Sequence, residues 1–284
     1  MRYSEQHQLM FVHIPKCAGT NIYQGLDGIA DFPYALFARD LNKTVEETEA
    51  LLSWRGFEHD VLGSIHQAHI PLKYLSEYFP STYAAFAGAT SFAILRNPRD
   101  RFISAIMQRL REFCDLGPTS IQENHVIEEG KNVCNWLDGK EVFCDLPYIH
   151  FTRQADYIDL EGERKVTKLF RLDQMDAWRS WMQDEFGISL GDMSYTHASL
   201  KPKGWFKQLN KVASPAYKML PQSVRKIVKP ILAESPLFVK AASQYDKMHL
   251  GDDVEKFIGD FYAKDWALFD SQAVSDAKPA SAAP

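Results

Sequence analysis

The chain has 284 residues, of which 45% are hydrophobic and 24% charged, with a formal net charge of −5 at pH 7. This length is enough for one sizeable α/β core, so we expect a single domain over residues 1–270. The net negative charge argues against general nucleic-acid binding. Because no stretch of about 18 apolar residues occurs and the N-terminal residues lack a signal-peptide pattern, a cytoplasmic protein is expected.

The first predicted element is a strand at the start of the chain. The apolar run LMFVHI (9–14) is typical of a buried strand in a parallel sheet, and Pro15 ends it. Thr20 or Asn21 is expected to cap the helix that follows. A helix start after such a turn can bind an anion, and Lys16 would add a full charge there.

This turn is not a Walker A loop. In that motif the lysine follows two glycines, whereas Lys16 precedes Gly19, the only glycine of the turn. A solvated lysine at a strand-turn-helix corner is the alternative interpretation of this stretch.

The next segments are expected to form a helix over 44–54, a short strand over 61–65 and a helix over 70–79. His66 and His69 lie between this strand and this helix. Since active sites of α/β proteins gather at strand ends, these two histidines are candidate functional residues.

A second strand-turn-helix unit covers residues 91–106. The strand is expected over 92–95 and ends at Arg96, and Asn97-Pro98 is a typical helix start. Apolar residues at helical spacing predict that Ser104 faces away from the core. Arg96 and Ser104 could therefore grip one phosphate, although arginines at 96, 99 and 101 are also typical of a solvated helix start.

Later segments predict a strand over 166–172 and a helix ending at Gly187. Strands that alternate with helices indicate a mainly parallel sheet with helices on both faces. The small, polar residues 271–284 are expected to be a disordered tail. The cysteines lack metal-ligand spacing and are expected to be reduced thiols; they are Cys17, Cys114, Cys134 and Cys144.

Residues 201–240 stand apart in charge. They contain nine basic residues and one acid, a net charge of +8, so the rest of the chain carries −13. Prolines divide this stretch, and we expect the segments between them to be short helices. The stretch is therefore expected to be a basic helical insertion. It could pack as a surface subdomain, cover an anionic acceptor or contact an acidic membrane surface as a peripheral element.

Two motifs together resemble the sulfotransferase family that uses 3′-phosphoadenosine 5′-phosphosulfate (PAPS) as its donor and releases 3′-phosphoadenosine 5′-phosphate (PAP). This family includes heparan sulfate 2-O-sulfotransferase and bacterial relatives. The motifs are HIPKCAGT at 13–20 and LRNPRDRFIS at 95–104, in the family's order. The resemblance implies a P-loop-like three-layer sandwich, an α/β fold. It also implies that Arg96 and Ser104 bind the 3′-phosphate of PAPS, and that its 5′-phosphosulfate lies on Pro15, Lys16, Cys17, Ala18, Gly19, Thr20 and Asn21.

The same resemblance implies sulfuryl transfer without a metal. Lys16 would stabilise the leaving oxygen, and His69, with His66 as its neighbour or substitute, would be the base. The acceptor would be a carbohydrate, a glycolipid or a small alcohol. Two alternatives stay open: a nucleotide-dependent phosphotransferase, and an inactive module that binds a nucleotide or glycan.

Overall fold

A computed structural model describes most of the chain. The residues outside its described part are 54, 115, 117–119, 191–199, 203–237, 241–247 and 275–284. The chain divides into two compact units, one formed by Met1–Gly191 with Leu250–Pro284 and the other by Asp192–His249.

The described strands follow one another along the chain as β1 (Arg2–Ser4), β2 (Leu9–Val12), β3 (Phe57–His59), β4 (Gly63–Ile65), β5 (Thr90–Leu95), β6 (Asp159–Leu160), β7 (Glu163–Arg164), β8 (Lys168–Arg171), β9 (Leu200–Pro202) and β10 (Phe238–Lys240). The described helices are α1 (Gly19–Gly25), α2 (Tyr34–Asp40), α3 (Val45–Leu51), α4 (Leu72–Tyr78), α5 (Pro80–Gly88), α6 (Pro98–Glu112), α7 (Glu123–Leu137), α8 (Met175–Phe186), α9 (Asp252–Phe261) and α10 (Ala263–Val274). Short 3-10 turns cover Ile149–Phe151, Ala155–Tyr157 and Leu172–Gln174.

The central sheet has the order β1-β2-β5-β8. Strands β2, β5 and β8 are parallel, and β1 pairs with β2 in the antiparallel sense. The first unit is therefore a mixed α/β structure with a mainly parallel sheet flanked by helices, as the alternation of strands and helices predicted. The antiparallel β1 was not predicted, because its three residues carry no alternating apolar pattern.

The core of this unit surrounds β5. Phe92 pairs in register with Phe11 of β2, and their rings lie 5.1 Å apart. Trp178 of α8, which has no exposed surface, stacks on the same Phe92 ring at 5.7 Å. Residues 9–12 of β2 and 92–95 of β5 are continuous apolar runs, which suits a sheet covered by helices.

Several predicted helix ends are confirmed. Thr44 and Glu47 form a capping box at the start of α3. The Asn97 side chain accepts the first free N–H groups of α6, and α8 ends at Gly187 in the left-handed conformation.

The predicted cap of α1 is wrong. The helix begins at Gly19, and its capping residue is Ala18, which has a φ of 61° and makes no side-chain cap hydrogen bond. Thr20 and Asn21 are already inside the helix. The tight loop thus starts the helix earlier than the polar side chains suggested.

The strand predicted over 61–65 does form, but not in the central sheet. It is β4, which pairs only with β3 in a separate antiparallel hairpin. His66 therefore follows a hairpin strand and not a strand of the main sheet.

Two predicted segments differ near the C-terminus. Residues 271–274, expected to belong to a disordered tail, are helical, because α10 continues through Val274; the rest of the expected tail lies outside the described residues. This helix is held by Phe269, which is buried and lies under the guanidinium of Arg171 at 3.9 Å. In the basic stretch 201–240, residues 201–202 and 238–240 are paired strands and not helices, since Val239 pairs with Lys201. The rest of that stretch lies outside the described residues.

Candidate functional site

The first motif forms the loop between β2 and α1. Lys16 and Ala18 both adopt the left-handed conformation, with φ of 66° and 61°. Non-glycine residues seldom adopt it, and such backbone strain clusters at ligand-binding sites. Pro15 and Cys17 are buried, whereas Thr20 is exposed.

Gly19 has a specific steric role in this loop. A Cβ atom at this position would lie 1.7 Å from Nε2 of His13. The imidazole of His13 thus occupies the space that a side chain would need, and its Nδ1 is 2.7 Å from the Tyr23 hydroxyl. This packing agrees with a loop-positioning role for His13.

The backbone N–H groups of the loop differ in availability. The N–H of Asn21 donates to the Ala18 carbonyl at 2.9 Å. In the described part of the chain, the N–H groups of residues 17–20 have no hydrogen-bond partner. These four N–H groups are donors that a bound anion could use.

Lys16 is a half-buried cation. Its Nζ donates to Oε1 of Gln108 on α6 at 2.6 Å. Burial, together with the nearby guanidinium groups of Arg111 and Arg96, lowers the pKa of Lys16 to about 8. The positive charge at this point is thus higher in energy than on a solvated lysine, and an anion would relieve it.

The second motif lies beside the first. Because β2 and β5 are adjacent and parallel, their carboxyl ends meet at one edge of the sheet. The guanidinium of Arg96, directly after β5, donates to the Lys16 carbonyl at 3.2 Å. The two motifs therefore form one cationic site.

Ser104 lies two turns into α6 and is half-buried. Gln108 is four residues later and therefore on the same stripe of the helix. Since Gln108 contacts Lys16, Ser104 belongs to the helix face that borders the loop. The spacing of Ser104, Gln108 and Arg111 could have revealed this stripe in the sequence, but only Ser104 was predicted.

The arginines at the start of α6 are not a solvated cluster. Arg101 is 1% exposed and donates to the carbonyls of His150 and Thr152, at 3.1 and 2.6 Å. Arg99 makes two hydrogen bonds to Glu255 of α9, at 2.8 and 2.7 Å. The alternative of a solvated helix start is thus wrong, because two of the three arginines connect α6 to the rest of the unit.

Four histidines form a cluster next to the first loop. The ring of His69 lies 4.4 Å from that of His13, 4.7 Å from that of His66 and 5.8 Å from that of His150. The sequence predicted His66 and His69, whereas His150 belongs to neither motif. The tertiary structure brings it into the cluster.

Burial holds three of these histidines, His13, His69 and His150, in the neutral form. Desolvation lowers the pKa of His13 and His69 well below 6.5, and it lowers the pKa of His150 to about 3. His69 is 7% exposed. A neutral imidazole can accept a proton, as a general base must.

The surrounding hydrogen bonds distinguish His66 from His69. Nδ1 of His69 faces the carbonyl of His13 at 3.3 Å, and a carbonyl can only accept. The neutral His69 ring therefore carries its proton on Nδ1 and a lone pair on Nε2. Nδ1 of His66 accepts the Ala68 N–H at 3.1 Å, so its proton is on Nε2.

Other kinds of site are absent from the described residues. They contain no group of three or more metal-ligating side chains arranged for a metal ion. The four cysteines, all of them described, are free thiols, as predicted. No helix in the described ranges is long and apolar enough to cross a membrane.

The fold and the site together define an α/β protein with two cationic loops at the carboxyl edge of a parallel sheet, next to a set of neutral histidines. Residues 1–177, more than half of the chain, match the model of the Sulfotransferase family. The chain therefore belongs to the sulfotransferase family, whose members transfer sulfuryl groups to an acceptor. No curated protein and no solved structure matches the chain.

Proposed function

We propose that this protein transfers the sulfuryl group of PAPS to a hydroxyl or amine, on a P-loop-like three-layer fold. The observation that carries the proposal is the hydrogen bond from the Arg96 guanidinium to the Lys16 carbonyl, 3.2 Å long. It joins the two cationic loops at one sheet edge. A donor with phosphate groups at both its 5′ and 3′ positions would need two such loops.

The 5′-phosphosulfate would bind at the first loop. The N–H groups of residues 17–20 supply donors, and Lys16 supplies the charge. To reach the donor, Nζ of Lys16 would exchange the neutral Gln108 oxygen for an anionic one, which forms a stronger hydrogen bond.

The 3′-phosphate would bind at the second loop, between Arg96 and Ser104. Both side chains are half-buried. A guanidinium and a hydroxyl can hold phosphate oxygens from two directions. A donor without this phosphate would lose these contacts.

His69 is the better candidate for the base. Its Nε2 lone pair is available, because the proton is held on Nδ1 by the His13 carbonyl. The neutral His66 ring has its lone pair engaged by the Ala68 N–H. His66 would lie beside the base as its neighbour, with its ring 4.7 Å from that of His69.

The reaction would be an in-line transfer through a loose transition state. Negative charge grows on the bridging oxygen as the sulfuryl group leaves, and Lys16 stabilises it while His69 takes the acceptor proton. This chemistry requires no metal ion. The acceptor would be a carbohydrate, a glycolipid or a small alcohol. The basic residues of 201–240 would recruit this acceptor or contact a membrane surface; most of them lie outside the described part of the chain.

The test is a binding and turnover series on the full-length protein. Calorimetry with PAP, PAPS, ATP and GTP should show tight binding of PAP and PAPS only. The rate of PAP release from PAPS should then increase when one class of acceptor is added from a panel of glycans, glycolipids and alcohols. Lys16→Ala should abolish this increase. A preference for ATP or GTP would instead favour a phosphotransferase, and PAP binding without turnover would favour an inactive module.

A further inference from the structure

A buried amide outside both motifs connects the two cationic loops. Gln154 has no exposed surface. Its Oε1 accepts the backbone N–H of Arg96 at 3.0 Å and the thiol of Cys17 at 3.3 Å. Its Nε2 donates to the Arg96 carbonyl at 2.9 Å. One side chain thus satisfies both backbone groups of Arg96 and also contacts the first loop.

The position of Gln154 is determined by the last described helix. The two carboxylate oxygens of Asp265, on α10, accept the N–H groups of Gln154 and Ala155 at 2.8 and 2.9 Å. Asp265 has no exposed surface, and Arg101 compensates its charge at 3.8 Å. Asp265 lies outside the residues 1–177 that match the family model.

The direction of the Arg96 side chain depends on this arrangement. Arg96 is the first residue after β5, so its backbone is no longer held by the sheet ladder. Without Gln154, the N–H and carbonyl of Arg96 would lose their partners in a partly buried place, which is costly enough to move the residue. A displacement would also reach the first loop, because the Arg96 guanidinium is bonded to the Lys16 carbonyl.

We propose that Gln154 is a positioning residue that holds Arg96 and the first loop in register for a donor with two phosphate groups, and that Asp265 holds Gln154 in place. The inference rests on the proposed function. Gln154 touches no reacting atom; it acts through Arg96. Its contribution is therefore greatest for a ligand that engages both loops at once.

The experiment compares the affinity of PAP with that of AMP, which lacks the 3′-phosphate. Gln154→Met fills a similar volume without the two polar atoms, and we expect it to weaken PAP binding about tenfold while it changes AMP binding less than twofold. Gln154→Glu keeps the acceptor for the Arg96 N–H and loses the donor, so it should give a smaller loss of the same kind. Asp265→Asn should also reduce the ratio of PAP affinity to AMP affinity.

A matched control separates positioning from stability. Thr82→Val removes another buried polar contact, the 2.6 Å bond from Thr82 to Asp40. It should lower the melting temperature without changing the ratio of PAP to AMP affinity. In a chain that already carries Arg96→Ala, Gln154→Met should cause little further loss of PAP affinity, since the side chain that it positions is absent.

The outcomes distinguish this inference from the proposed function. If the unaltered protein does not bind PAP, both are overturned. If it binds PAP, but Gln154→Met and Gln154→Glu leave the affinity ratio unchanged, only the positioning role is overturned. If Gln154→Met does not fold, the ratio measured for Gln154→Glu decides.

Discussion

The unusual pKa of Lys16 leads to a testable pH profile. With a pKa of about 8, this lysine is about nine-tenths protonated at pH 7 and about one-tenth protonated at pH 9. Since the proposed mechanism needs the charged form, kcat/KM for PAPS should fall about tenfold over this interval. A solvated lysine, with its ordinary pKa of 10.5, would lose almost none of its charge by pH 9.

The assay is sulfuryl transfer from PAPS between pH 6.5 and 9.5 at constant ionic strength. Lys16→Arg is the control, because a guanidinium stays charged throughout. This variant should be slower but should lack the fall above pH 8. The value of kcat should begin to fall only at higher pH, because a bound anionic donor raises the pKa of Lys16.

Unfolding would not explain such a fall. Because the pKa of Lys16 is lower in the folded state, the unfolded chain binds more protons at this residue between pH 8 and 10.5. The contribution of Lys16 to folding stability therefore increases with pH in that window, and melting temperatures should show no matching loss. A flat kcat/KM from pH 7 to 9, or an equal fall in Lys16→Arg, would refute the assigned role.

Three further predictions concern the loops and the scaffold. Calorimetry should show that Arg96→Ala and Ser104→Ala each weaken PAP binding by about 1–3 kcal/mol. The affinity for adenosine 5′-phosphosulfate, which lacks the 3′-phosphate, should not change. Equal losses of affinity for both nucleotides would mean that the second loop is misassigned. Gly19→Ala should lower the melting temperature, since the added Cβ would overlap the His13 ring. Adding His13→Ala should restore part of this decrease in melting temperature. If the double variant melts no higher than Gly19→Ala alone, the steric explanation is wrong. Asp40→Ala removes the acceptor for two N–H groups at the start of α5. It should lower the free energy of unfolding, measured with urea, by about 1–2 kcal/mol. A change within experimental error would show that water replaces the Asp40 carboxylate as the acceptor.

Local patterns were sufficient to predict the elements that carry the two motifs. Strands β2 and β5 are continuous apolar runs, and the start of α6 has a polar cap followed by proline, so each could be recognised from adjacent residues alone. Lys16, Arg96 and Ser104 were predicted from these same stretches. Their assembly into one site followed from the parallel pairing of neighbouring strands, which is a general rule of such sheets.

Contacts between residues distant in sequence could not be predicted in this way. His150 joins the histidine cluster, and Gln154 joins the two loops, only because the segment after α7 folds back beside β2 and β5. Neither residue lies on a periodic helix or strand that would mark its environment. The same holds for Arg101, whose charge suggested exposure but whose burial depends on carbonyls about 50 residues away.

For the elements that carry the two motifs, the sequence by itself determined the strand and helix types, the two cationic loops and the candidate residues on them, because each depends on the chemistry of a few adjacent side chains. The tertiary structure alone decided the pKa of Lys16, the proton positions on His66 and His69, and the link from α10 to both loops. These properties arise from burial and from hydrogen bonds between distant segments, and only the packed chain brings those partners together.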